Sequence, residues 1–118
     1  MSKSYTTRQQ ARAKVQAREA FRTSNGQLFA RWESYHPVGT PSPHRYVVYS
    51  YGVHWPLFIF CDGVWYGNAN KFSPTTSHHQ SYTHPHTPVV WLTCGEMKNL
   101  ASMGLHYVRG VITAKQAA

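Results

Sequence analysis

Arg8, Arg12, Lys14, Arg18 and Arg22 recur at mostly four-residue steps, with Glu19 as the single acid among them. At 100° per residue they fall within one arc of about 160° around a helix. Cationic groups ranged along about 20 Å of helix can follow a phosphate backbone and release its counterions. The plainer alternative is a solvated face that keeps the protein soluble. Ala13, Ala17, Ala20 and Phe21 occupy the opposite side, whereas Val15 sits inside the basic arc. An alanine and glutamine face is too weakly apolar to anchor in lipid.

A second candidate is Lys71 with Thr75, Thr76, Ser77, His79 and Gln80. Free backbone N–H groups at a helix start, hydroxyls beside them and a nearby cation are suited to a phosphate. The same hydroxyls equally serve as caps and turn partners, with His79 and Gln80 bonding back to a sheet. Trp32, Tyr46, Tyr49, Tyr51, Trp55, Trp65 and Tyr66 lie on or beside expected strands. Rings facing outward would stack bases, and rings facing inward would build the core. His78, His79, His84 and His86 invite a metal reading, but the recurrent zinc-ligand spacings are missing, so no metal or other cofactor is expected. A Ser/Thr–His79–Asp62 triad can be drawn on paper, yet there is no glycine elbow, P-loop or dinucleotide fingerprint. Four acids leave little for paired-carboxylate chemistry. No catalytic residue is assigned, and a non-enzyme is expected.

The elements that must position these residues are legible in outline. Arg8 to Arg22 contains no Gly or Pro, Thr6 or Thr7 can cap it, and Ser24-Asn25-Gly26 reads as its stop. Strands are expected at 28–33, 46–51, 57–61 and 64–66, with a proline-rich loop between the first two and a type I′ turn at Asp62-Gly63. Ser73 to Ser77 starts a short helical turn that must end before Pro85. A strand at 89–92 precedes a helix opened by a Thr93/Glu96 capping box and carrying Met97, Leu100 and Ala101 inward. Leu105 to Ile112 has the content of a last strand. The expected fold is α+β: a small twisted antiparallel sheet packed against the helix of the C-terminal half, with a basic N-terminal helix. The expected divisions are a basic helical segment 1–26, a compact domain 27–112 and a loose tail 113–118.

Ser50-Tyr51-Gly52, Pro56, Gly63-x-Trp65, Asn68 and Lys71-Phe72-Ser73-x-Thr75-Thr76-Ser77-x-His79-Gln80 form a distinctive series. The series resembles a small uncharacterised domain encoded mostly by bacteriophages and plasmids, with the pattern S-Y-G…P…W…K-[YF]-S-x-T-T-S-x-H-Q. In that family the final H-Q often continues as a longer helix, whereas Pro85 and Pro88 cut it short here. The resemblance implies a phage or mobile-element origin and carries no established reaction.

The chain has 118 residues, 12 Lys plus Arg against 4 Asp plus Glu, and 42% hydrophobic content. That suits one domain with a real core. No apolar run approaches the roughly 18 residues of a membrane span, no signal peptide opens the chain, and Cys61 and Cys94 are too few for a disulfide framework. A soluble protein of the host cytoplasm is expected. Its expected role is that of a phage accessory protein binding nucleic acid, or a nucleic-acid-containing host complex, by backbone charge neutralisation. The alternatives are an anti-CRISPR-like inhibitor of a host defence or transcription protein, acting through its aromatic sheet face, and a virion component.

Overall fold

The computed structural model describes residues 7–23, 26–33, 45–50, 55–61, 63–70 and 74–103, with Arg8, Gln9, Pro74, Thr75, Thr76, Tyr82 and Met103 described by backbone alone. In chain order the elements are α1 (Arg8–Gln16), β1 (Phe21–Arg22), β2 (Leu28–Glu33), β3 (Arg45–Ser50), β4 (Pro56–Cys61), β5 (Val64–Asn68), α2 (Pro74–Thr83), β6 (Val89–Leu92) and α3 (Cys94–Met103). The expected strand at 105–112 and the tail 113–118 lie outside the described residues.

The fold is α+β, and its six strands form one sheet in sequential order. β1 to β5 pair antiparallel, each with the next. β6 instead pairs parallel with β5, from Trp65↔Val89 to Asn68↔Leu92. The sheet is therefore mixed, not antiparallel as its short strands suggest. The reason is the connection: a parallel neighbour needs a crossover, and α2 is that crossover. α2 also runs past Gln80 to Thr83 before Pro85 stops it, longer than the short turn expected there.

Alternation along the strands sends side chains into two buried clusters. Tyr46, Val48, Phe58 and Trp65 lie with Ala11 and Val15 of α1, Phe21, Leu28 and Ala30. Val47, Tyr49, Ile59, Cys61 and Tyr66 lie with Leu92 and with Met97, Leu100 and Ala101 of α3. All six residues of β3 are buried, as a central strand covered on both faces requires.

The first helix departs most from expectation. Thr7 caps it through a capping box with Gln10, but it ends at Gln16, and Phe21–Arg22 is a strand paired with β2. Its end is a Schellman closure: the Arg18 N–H donates to the Val15 carbonyl (3.0 Å) and the Glu19 N–H to the Lys14 carbonyl (2.8 Å). Arg18 takes the left-handed position at φ +55°, where glycine is the usual occupant. Gly26, at φ +71°, closes a hairpin turn whose N–H donates to the Thr23 carbonyl (2.9 Å). Asn-Gly is a hairpin signal as well as a helix stop, and burial of Phe21 against the sheet decides for the hairpin. The buried face is also reversed. Ala11 and Val15 are fully buried while Ala13 and Ala17 are exposed. Val15 outranks alanine because a buried valine contributes roughly 1.5 kcal/mol or more.

Candidate nucleic-acid interface

With α1 stopped at Gln16, the five basic residues share no helical face. Arg8 and Arg12 sit on α1 with Lys14, whereas Arg18 caps its end and Arg22 belongs to β1. Ala11 and Val15 point along the middle of the expected cationic arc, which is therefore the buried side of the helix. Arg12 is half-buried and donates from Nη2 to the Ser81 carbonyl (2.6 Å), and its Nε is buried with no partner among the described residues. Lys14 Nζ donates to Glu19 Oε2 (3.0 Å), so an acid of the same chain neutralises it. The Arg8 side chain lies outside the described residues.

The second candidate also turns inward where it is described. His79 Nδ1 and Ser50 Oγ share a hydrogen bond (2.8 Å), and Gln80 Nε2 donates to the Asn68 carbonyl (2.7 Å). Burial, with His78 adding repulsion, holds the His79 imidazole below its ordinary pKa. Neither side chain is presented to an outside phosphate. Ser77 is half-buried, Lys71 lies outside the described residues, and Thr75 and Thr76 are placed by backbone in the first turn of α2. Asn68 extends the same network: its Nδ2 donates to the Pro56 carbonyl (3.0 Å) and its Oδ1 accepts from the Asn70 N–H (2.9 Å). Asn70 Oδ1 in turn accepts from the Cys94 N–H that opens α3. The arrangement clasps the crossover helix to β3, β4 and β5.

Among the seven singled-out aromatics, Tyr46, Tyr49, Trp65 and Tyr66 are buried, Trp55 is half-buried and Tyr51 lies outside the described residues. Among the described residues the sheet therefore offers no broad aromatic face. Trp32 at 40% and Trp91 at 50% are the exposed large apolar side chains among the described residues. His84 and His86 have ring centroids 5.8 Å apart, and the His84 Nδ1 accepts from the His86 N–H. Among the described residues no group of three or more His, Cys, Asp or Glu is placed to hold a metal ion. None of their helices is long and apolar enough to cross a membrane.

Cationic and aromatic groups meet instead at the β1–β2 end of the sheet. On one side, the Arg18 guanidinium reaches across to lie 4.7 Å from the ring centroid of Phe60 on β4, and the Trp32 indole N–H donates to the Arg18 carbonyl (2.9 Å). On the other, the register sets Arg22 opposite Phe29 and Phe29 opposite Tyr49. The Phe29 and Tyr49 rings stack at 5.2 Å, and the Arg31 guanidinium lies 5.7 Å and 5.4 Å from them. Arg31 Nε donates to Glu33 Oε1 (2.9 Å), a bond that raises its pKa, and the Tyr49 hydroxyl donates to the same oxygen (2.7 Å). Phe21, Arg22, Gly26, Phe29 and Arg31 line an open cavity of about 300 Å³. Arg31 and Phe29 escaped sequence reasoning, although the period-2 series Phe29, Arg31, Glu33 on one strand face was the signal that could have found them.

Comparison of the chain with protein-family profiles, with curated proteins and with solved structures finds no match.

Proposed function

We propose that this domain is a phage-encoded accessory protein of the host cytoplasm that binds nucleic acid, alone or within a host complex, without catalysing a reaction. The observation that carries the reading is the β1–β2 end of the sheet. Arg18 and Arg22 have no carboxylate within ion-pair distance among the described residues, and they stand beside Trp32 and Phe29 in a chain with 12 basic and 4 acidic residues. Unneutralised guanidinium groups beside rings are what a phosphodiester chain rewards, through counterion release and stacking. The contact surface of this proposal is Arg22 and Arg31 on one face of the sheet and Arg18 on the other side of the edge strand β1, with the net positive charge of the chain adding long-range attraction.

The test is a salt titration of binding to a random duplex and a random single strand. Engaging about three phosphates predicts a slope of log K against log salt near −2 to −3. Arg18→Ala and Arg22→Ala should each flatten that slope by roughly one. A slope near zero, or no binding at about 50 mM salt, refutes the reading.

One observation favours a second reading. Trp91 is half-exposed on β6 beside His84, at 6.2 Å between ring centroids. An exposed tryptophan suits the anchor of a protein–protein contact, as an inhibitor of a host protein would use. Capture of one discrete host protein that survives nuclease treatment and is lost on Trp91→Ala would favour it.

A further inference from the structure

We infer that the cavity bounded by Arg22, Phe29 and Arg31 receives one unstacked nucleotide of a single strand, its base against Phe29 and Arg31 and its phosphate on Arg22. This inference rests on the nucleic-acid reading above and names the substrate class. Phe29 supplies the ring of the lining and Arg22 and Arg31 its cations, while Phe21 borders it with its side chain packed to the opposite face of the sheet. The cavity's volume of about 300 Å³ is at the small end of ligand pockets, room for a base with its sugar.

The two arginines have different duties. Arg31 is held against the Phe29 and Tyr49 rings by Glu33, so its guanidinium plane is a fixed platform on which a base can stack. Arg22 is exposed, and no carboxylate among the described residues reaches it. It lies across Gly26, with Nη2 3.0 Å from where a Cβ would stand. A side chain at residue 26 would push Arg22 aside, and that backbone sits at φ +71°, so glycine serves both the turn and the placement of the cation.

The cavity favours a single strand. A duplex turns its phosphates outward and keeps its bases stacked, so it can reach Arg22 but has no free ring to insert. A single strand presents both together.

The experiment measures binding of the full chain to four probes of about a dozen nucleotides or fewer: oligothymidylate, the same strand without bases, a duplex of equal length, and free thymidine monophosphate. Oligothymidylate should bind about tenfold more tightly than the abasic strand. Arg22→Glu and Phe29→Leu should each weaken oligothymidylate about tenfold. Phe29→Leu should leave duplex binding within about twofold, because the duplex makes no use of the ring. Phe29 packs on Tyr49, so circular dichroism checks that variant, while exposed Arg22 provides the variant that does not disturb packing. Equal binding of the abasic strand and oligothymidylate overturns the inference and leaves the nucleic-acid reading standing. Free monophosphate binding as tightly as the oligomer overturns it in favour of a small-molecule site. If neither strand nor duplex binds at low salt, the reading beneath it fails as well.

Discussion

Glu33 serves two arginines, and replacing it by glutamine tests how this end of the domain is held. Its Oε1 accepts from Arg31 Nε (2.9 Å) and from the Tyr49 hydroxyl (2.7 Å), and its Oε2 lies 3.7 Å from Arg45 Nη2. The two arginines differ in exposure: the Arg31 side chain is 52% exposed and that of Arg45 4%. An exposed pair is worth at most about 1 kcal/mol. A buried pair at this distance carries about 4 kcal/mol of Coulomb attraction at an effective dielectric near 20. Arg45 also donates to the Ala101 and Ser102 carbonyls in the last turn of α3, which retain part of its compensation. Burial already pulls the Arg45 pKa below its ordinary value, with Glu33 opposing that pull. Glu33→Gln should therefore cost about 2 to 4 kcal/mol, with the Tyr49 hydroxyl still satisfied by the amide oxygen. Arg31→Gln, which removes the exposed pair and its ring contacts but leaves the buried one, should cost about 1 kcal/mol. Urea unfolding followed by circular dichroism reads both. The glutamine variant at position 33 should unfold at roughly 1 to 2 M less urea, and added salt should change that gap little because the lost partner is buried. Equal costs for the two substitutions would refute the assignment of Glu33 as the counter-charge of a buried arginine.

Three further outcomes follow from the same geometry. Arg18→Gly relieves a left-handed backbone that costs a non-glycine residue about 1 kcal/mol, against loss of a cation–π contact worth about 0.5, so thermal stability should rise slightly while nucleic-acid affinity falls; a fall in both would show that the contact outweighs the strain. Gly67→Ala would set a Cβ 2.7 Å from the Trp91 ring and 2.8 Å from Val89 Cγ1, which should cost about 1 to 3 kcal/mol and shift tryptophan fluorescence, and an unchanged melting point would contradict it. Burial depresses the pKa of His79 and of His84 below 6.5, so both stay neutral in the fold while the unfolded chain takes up protons first. Stability should therefore be full above that value and be lost as pH falls below it, with His84→Gln flattening the fall; a urea midpoint constant from about pH 7.5 to 5 would count against this.

How much was legible follows from which interactions are local. β2 to β6 announce themselves through aromatic and β-branched runs, and both capping boxes, Thr7/Gln10 and Thr93/Glu96, lie where a residue and its third neighbour specify them. The end of α1 is not local. Ala17 to Arg22 has good helix propensity, and only the burial of Phe21 and its pairing with Ala30 turn the chain into β1. Once that turn is made, Arg18 and Arg22 leave the helix and the ribbon of charge dissolves. The parallel pairing of β6 was hidden for a related reason: Pro74–Thr83 is rich in Ser, Thr and His, weak helix formers that the crossover nevertheless holds helical. The polar platform was missed because Arg31 gains its meaning from Tyr49, a residue of another strand.

The marked polar residues around the crossover thus belong to the architecture. Ser50, Pro56, Asn68, His79 and Gln80 are joined to one another through Ser50–His79, Asn68–Pro56 and Gln80–Asn68 hydrogen bonds. A side chain whose donors and acceptors are taken up in joining a helix to a sheet has little left for a ligand, and losing it would leave a buried polar partner unsatisfied. Arg18, Arg22 and Arg31 stand on β1, β2 and the turn before them, and none of those bonds includes them. Substitution there leaves the clasp intact, so the β1–β2 end can change its chemistry while the fold stays as it is.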